Sequence, residues 1–235
     1  MLIGADYDKI EFQLLGLELL EPTAFVGDMI MAFFGFLFAY KVSKLGQTVF
    51  IKNWKIFFFL FGLLFLFGGF GHLMYNYWAI PGKYAGWFLG IVIVFYVEAA
   101  MLSFIKSDKL RNALLIASKI KLLLALIGEV LIISLIDLSV DFSVAMQIPT
   151  VNSTFGLTSA LVILSYYYSR ILTPVFKFFI LSGLVMLPAV FFRAMKINPA
   201  PWFDKNDVSH LVLFFGLILY YTGVKRVAAY QKKLS

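Results

Sequence analysis

The chain contains no cysteine, which removes disulfides, thiolate metal sites and cysteine nucleophiles from the list of what it can do. It is also poor in charge: only 14% of its 235 residues are Asp, Glu, Lys or Arg, about half the share of an ordinary soluble domain. A soluble protein of this length could not cover its surface with so few charges, whereas a protein surrounded by lipid does not need to. Histidine is scarcer still, with two residues in the whole chain. The first residues, Met1 to Asp6, are acidic, with no basic flank ahead of an apolar core, so no cleaved signal peptide is expected.

Apolar residues take the place of charge. They make up 62% of the sequence, and the mean hydropathy is +0.91. Phe alone contributes 27 residues, and runs such as Phe57-Phe58-Phe59 read as lipid-facing helix surface. Spanning a hydrocarbon core takes roughly 20 helical residues. Apolar runs of that length fall at 23–42, 55–78, 84–105, 113–136, 155–175, 176–194 and 208–226. Only Ser169, Arg170, Thr173, Pro174 and Lys177 separate the fifth from the sixth.

Net charge is +7, and topology accounts for it better than nucleic acid does. Segments 41–55, 106–121, 170–177 and 225–233 hold fifteen of the twenty basic residues. Eleven of the thirteen acids, all but Glu98 and Asp108, lie toward the opposite side. Under the positive-inside rule this predicts an all-α, integral membrane bundle of seven transmembrane helices, N-terminus outside and C-terminus cytoplasmic. Residues 1–22 form an extracytoplasmic segment, 23–228 the bundle and 229–235 a basic tail. A plasma membrane or bacterial inner membrane suits that charge bias. Residues 10–20 carry too many acids for a span and read as a short interfacial helix. Glu21 precedes Pro22, and proline suits a helix's first turn. The connection 137–154 reads as a plain loop or as a cap on the outer mouth.

An ionisable side chain at membrane depth is costly, so it normally faces the interior and serves a purpose. Asp28, His72, Glu129, Asp207 and His210 each fall within about 10 Å of the outer end of a predicted span, at the helical rise. Neutral imidazole and carboxylate are zinc ligands, and a catalytic zinc commonly keeps three protein ligands and a water. His72 and His210 with Asp28 or Asp207 would supply three ligands, and a second carboxylate would act as catalytic base or orient an imidazole. The alternative is a hydrogen-bonded network that is structural or binds a small or lipidic ligand, including a His72–Asp28 bond or a helix cap at Asp207. A proton-coupled carrier is the third reading. Glu98 lies toward the inner leaflet and reads as one member of a pair with a Lys, an Arg or a tyrosine. Lys119 and Lys121 read as snorkelling to the cytoplasmic headgroups. Gly68-Gly69-Phe70-Gly71, just before His72, permits close helix approach. Tyr166-Tyr167-Tyr168, Trp78, Trp87 and Trp202 read as an interfacial aromatic belt.

Seven spans, an outside N-terminus, His72 in the second span and His210 in the seventh together resemble the ceramidase and adiponectin-receptor superfamily of membrane hydrolases. That resemblance implies a zinc held by His72 and His210, and water-mediated hydrolysis of a lipid amide or ester in the outer third of the membrane. Two positions depart from that family's pattern. Asp207 stands one turn before His210, where the family usually has a second histidine, and Gly68 replaces a serine. The competing expectation is a non-enzymatic seven-helix binding or sensing protein with a buried polar pocket. Retinal linkage is not expected, since the last span has no lysine before Lys225.

Overall fold

The computed structural model describes residues 1–234. It is helical apart from one hairpin, and six of its helical segments are long and apolar enough to cross a membrane. That is the build of a multi-pass membrane protein. The six are α1 (Pro22–Ser43), α2 (Val49–Leu73), α4 (Pro81–Leu102), a composite segment over Ser143–Ile171, a segment over Pro174–Ala194 containing α8 (Lys177–Ala194), and α9 (Lys205–Lys232). A one-turn α3 (Tyr75–Trp78) links α2 to α4. α5 (Asp108–Leu135) is 28 residues long, but Lys119, Lys121 and Glu129 interrupt its apolar run.

Local chemistry sets the ends of these helices. Thr48 and Ser107 cap α2 and α5 by accepting from Ile51 N and Leu110 N. Pro22 and Pro81 occupy the first turns of α1 and α4. Asp204 caps α9, and Asp207 returns a bond to the Asp204 backbone N–H, a reciprocal capping box. The composite segment changes winding as it runs: α6 (Gln147–Leu157), a π-helical stretch Thr158–Leu164, then α7 (Ser165–Ile171). The chain breaks at Thr173-Pro174, so the predicted division between fifth and sixth runs lies where those residues put it.

Two glycine contacts draw α1 onto α2. A Cβ at Gly35 would lie 2.7 Å from Gly62 N, and one at Gly69 would lie 2.7 Å from Met29 Cε. The core gathers where α2, α8 and α9 meet, with Trp54 stacked on Phe179 at 5.2 Å and an interplanar angle of 15°. Of the run read as lipid-facing, Phe57 and Phe58 are buried in this core and only Phe59 is exposed. Consecutive residues on a helix are about 100° apart, so three in a row cannot share one face.

Residues 10–20 are not a helix. Glu11–Leu14 (β1) and Leu17–Leu20 (β2) pair antiparallel, joined by Leu15 and Gly16 at φ 53° and 79°. Positive φ at both turn residues is the two-residue hairpin geometry that follows strand twist, and Gly16 supplies one of them without strain. With residues 1–10 the hairpin makes an N-terminal arm over one end of the bundle, the arm end. The opposite, basic end carries the lysine-rich connections. Of the 137–154 connection, Leu138 and Ala145 pack on Trp87 and residues from Gln147 onward are already helical.

Candidate functional site

The five ionisable residues expected at one depth do not form one layer. α2 ends at Leu73, so His72 sits in its last turn rather than well inside. There its Nδ1 is 2.7 Å from Glu21 Oε2, and Lys9 Nζ reaches Glu21 Oε1 at 2.6 Å. Glu21 stands just ahead of α1 with φ 50°. Burial alone would raise its pKa, but the bond to His72 and the nearby charges of His72 and Lys9 outweigh burial and hold it at about 2.

A second pair lies deeper. Asp28 is seven residues beyond Glu21, about 10 Å down the helix, and is 2% exposed. Its Oδ1 lies 3.0 Å from His210 Nδ1. The contact is close, yet it lacks hydrogen-bond alignment: neither atom makes a hydrogen bond among the described residues. Glycines let α2 lie against Asp28: a Cβ at Gly68 would sit 3.5 Å from Oδ2, and one at Gly69 3.0 Å from the Asp28 Cβ. The ring of Phe65 meets His210 edge-on at 5.3 Å. Asp207 and Glu21 lie within electrostatic reach of Asp28, as does Lys83, and His72 and Arg193 lie within reach of His210.

These side chains border two spaces. Between α1 and α9 a cavity of about 530 Å³ is walled by Val26, Ile30, Met31, Leu211 and Phe214, with Thr23, Asp207 and His210 as its polar members. Val26, Ile30 and Leu211 are exposed on the flank of the bundle, so the cavity opens sideways. A smaller space of about 30 Å³ lies under the arm, where Tyr7 to Ile10 meet the starts of α1 and α9. Thr23 and Asp207 line both.

The set expected to hold zinc is therefore divided. His72 is taken up by Glu21 and His210 faces Asp28, while Asp207 closes the α9 capping box. Among the described residues no three His, Asp or Glu side chains converge on a point that would hold a metal ion. This chain's residues do not fit the zinc centre that the resemblance implies. The reason is the early end of α2, which lifts His72 to the level of the arm and gives it a carboxylate there.

The remaining two carboxylates are elsewhere. α5 packs on α4 and α6, and Glu129 is fully buried on it with neither oxygen bonded. It lines neither of the two spaces. Glu98 on α4 pairs with Lys121 of α5 at 2.9 Å. Lys121 also donates to Asn152 Oδ1 at 2.8 Å, and Asn152 Nδ2 donates to the Ile91 carbonyl. Lys121 thus turns inward instead of snorkelling, because a buried carboxylate and amide offer it more than the headgroups do. Gly156 makes room for the pair, since a Cβ there would lie 2.8 Å from both Glu98 Oε1 and Lys121 Nζ.

Sequence reasoning missed Glu21, Thr23, Lys9 and Asn152 as members of polar clusters. Glu21 had a readable signal: an acid immediately before Pro22 at a span boundary, level with the end of a histidine-bearing span. A family of unknown function, DUF6962, matches residues 23–229, nearly the whole bundle, and the chain belongs to that family. No curated protein and no solved structure matches it.

Proposed function

Starting from membership of a family that brings no activity with it, we propose that this is a membrane protein that binds an amphipathic ligand in the cavity between α1 and α9. The observation that carries the reading is the cavity's composition: an apolar chamber of about 530 Å³, open on the flank, ending at Asp207 and His210. Ligand sites are typically concave, mostly apolar and furnished with a few polar groups that fix orientation. Asp207 and His210 suit the role as polar walls of the cavity, and Asp28 lies behind His210 with Oδ1 3.0 Å from its Nδ1.

We further infer that α5 is a seventh crossing, with the arm end outside and the basic end cytoplasmic. Support comes from its 28 residues, from the exposed apolar side chains Leu114, Ile116, Leu123, Leu124, Ile127 and Leu131, and from the charge bias. A plasma or bacterial inner membrane then provides ligand access from the bilayer.

Reconstituted protein should bind a fluorescent long-chain amphiphile saturably. A Cβ at Gly27 would meet only His210 Nδ1, at 3.9 Å. Gly27→Ala should therefore bind within about twofold of the unaltered protein, while Gly27→Leu, whose branches enter the cavity, should weaken binding about tenfold or more. Equal binding by both variants would remove the cavity as the site. The zinc hydrolase expected from the resemblance has its own readout: tightly bound, stoichiometric zinc in protein prepared without chelator would favour it over binding alone.

A further inference from the structure

We propose that the ligand carries a small cationic head, a primary ammonium on a long apolar chain. This rests on the binding reading above and adds the chemistry of the polar group. Among the described residues no Lys or Arg lines the cavity between α1 and α9, and its ionisable walls are Asp207 and His210. The smaller space under the arm adjoins it, with Thr23 and Asp207 in the walls of both. Among the described residues Asp8, Glu21, Asp204, Asp207 and Lys9 are its charged walls, and Lys83 and Arg193 reach Glu21 and Asp204 electrostatically from outside it.

Most of these charges are already engaged. Lys9 and His72 hold Glu21. Asp204 accepts from Asn206 N, Asp207 N and Asn206 Nδ2. Asp207 receives the Asp204 N–H on Oδ2, has Thr23 as a second partner, and lines both spaces. An ammonium at that junction would donate to the Asp207 carboxylate while its chain ran between α1 and α9. Behind it lies Asp28, 2% exposed, whose Oδ1 faces His210 Nδ1 at 3.0 Å.

Size selects further. About 30 Å³ under the arm is room for about two waters. An ammonium fits there, whereas a phosphate or a trimethylammonium does not. A phosphate or carboxylate head would also meet like charge, which is costly where water is excluded. A neutral hydroxyl head fits the space but forgoes the charge-assisted bond.

The test uses full-length protein in nanodiscs of zwitterionic lipid, with hexadecylamine, hexadecanol, palmitate and hexadecyltrimethylammonium competing against the fluorescent chain probe. Gly27→Leu protein sets the background of simple partition into lipid. Hexadecylamine should bind about tenfold or more tighter than hexadecanol, the gain expected of one charge-assisted hydrogen bond. Palmitate and the trimethylammonium should be weakest. Asp207→Asn, whose amide oxygen still accepts the Asp204 N–H, should erase the amine's advantage while leaving hexadecanol bound. Equal binding of amine and alcohol, or a preference for palmitate, would overturn the head-group assignment and leave the cavity reading intact. Failure of every chain to displace the probe would instead end the cavity reading itself. If Asp207→Asn does not fold, the ligand series on unaltered protein still decides between these outcomes.

Discussion

Ionisable groups are buried at both ends of this bundle, and they are satisfied differently. At the α4–α5–α6 contact, Glu98, Lys121 and Asn152 form a chain of bonds at 2.9 and 2.8 Å, ending on the Ile91 carbonyl. At the arm end, Asp28 and His210 approach to 3.0 Å without aligning. One carboxylate has a permanent cation fixed against it; the other faces an imidazole beside an open cavity. Burial alone therefore does not distinguish a structural polar group from a binding one. Each keeps one unbonded oxygen among the described residues, Glu98 Oε2 and Asp28 Oδ1; what distinguishes them is the lysine set against Glu98 and the imidazole set against Asp28.

The largest effect should come from breaking the Glu98–Lys121 pair. Lys121→Met leaves Glu98 buried without its cation, a change that costs about 3–5 kcal/mol in comparable buried pairs. The double variant Glu98→Met/Lys121→Met should recover most of that loss, because no uncompensated charge remains. Unfolding in mild detergent, followed by helical signal against temperature, would measure both. A double variant as unstable as the single would mean that packing, rather than charge, holds this contact. Gly156→Ala tests the same place sterically: its Cβ would fall 2.3 Å from Val94 Cγ1, and overpacking of this kind costs about 1–3 kcal/mol.

Glu21 lies between the two cases, since it is paired but sits at the edge of the bundle. Its pKa is depressed from 4.5 to about 2, so the stability it contributes is present above pH 4.5 and is lost as pH falls through 2. With half-exposed Lys9 as one partner, we expect about 1–2 kcal/mol rather than the full value of the shift. The arm should loosen across that acidic window, seen as faster amide exchange at β1 and β2. Glu21→Gln should loosen it already at neutral pH and flatten the dependence. An unchanged acid profile in Glu21→Gln would assign the arm's docking to its other contacts, such as Leu2 with Asn198.

Much of this was legible in the sequence, and the limits have physical causes. Apolar run length predicted the helical segments to within a few residues at most ends, because the cost of exposing backbone to lipid leaves little choice. Run length did not show that α2 stops at Leu73: Met74, Tyr75, Tyr77 and Trp78 carry the aromatic and apolar run past it, and the turn there depends on Ala79 adopting φ 46°. That shift of five residues moved His72 to a different level and divided the expected ligand set. The hairpin was hidden for a different reason. The stretch 10–20 is short and carries acids, and Gly16 was the one local sign against a helix. Lys121 shows a third limit: hydropathy places a lysine near an interface, but only packing shows which way it turns.

The smallest expected effect on stability is also the sharpest test of the comparison. Asp28→Asn keeps the shape of a side chain that lies against Gly68 and Gly69 and replaces its acid group by an amide. Since Asp28 Oδ1 makes no hydrogen bond to lose, and a neutral amide is less costly to bury than a carboxylate, stability should change by no more than about 1 kcal/mol. Ligand binding should fall about tenfold, because the acid that faces His210 behind the cavity is gone. The two readouts separate the possible roles. A structural Asp28 would lower unfolding temperature and binding together, as Lys121→Met would if it reached the cavity at all. A binding Asp28 lowers affinity alone. If Asp28→Asn destabilises the bundle as much as Lys121→Met does, the arm-end pair is a structural tie like its counterpart, and an imidazole partner marks a binding acid no better than a lysine does.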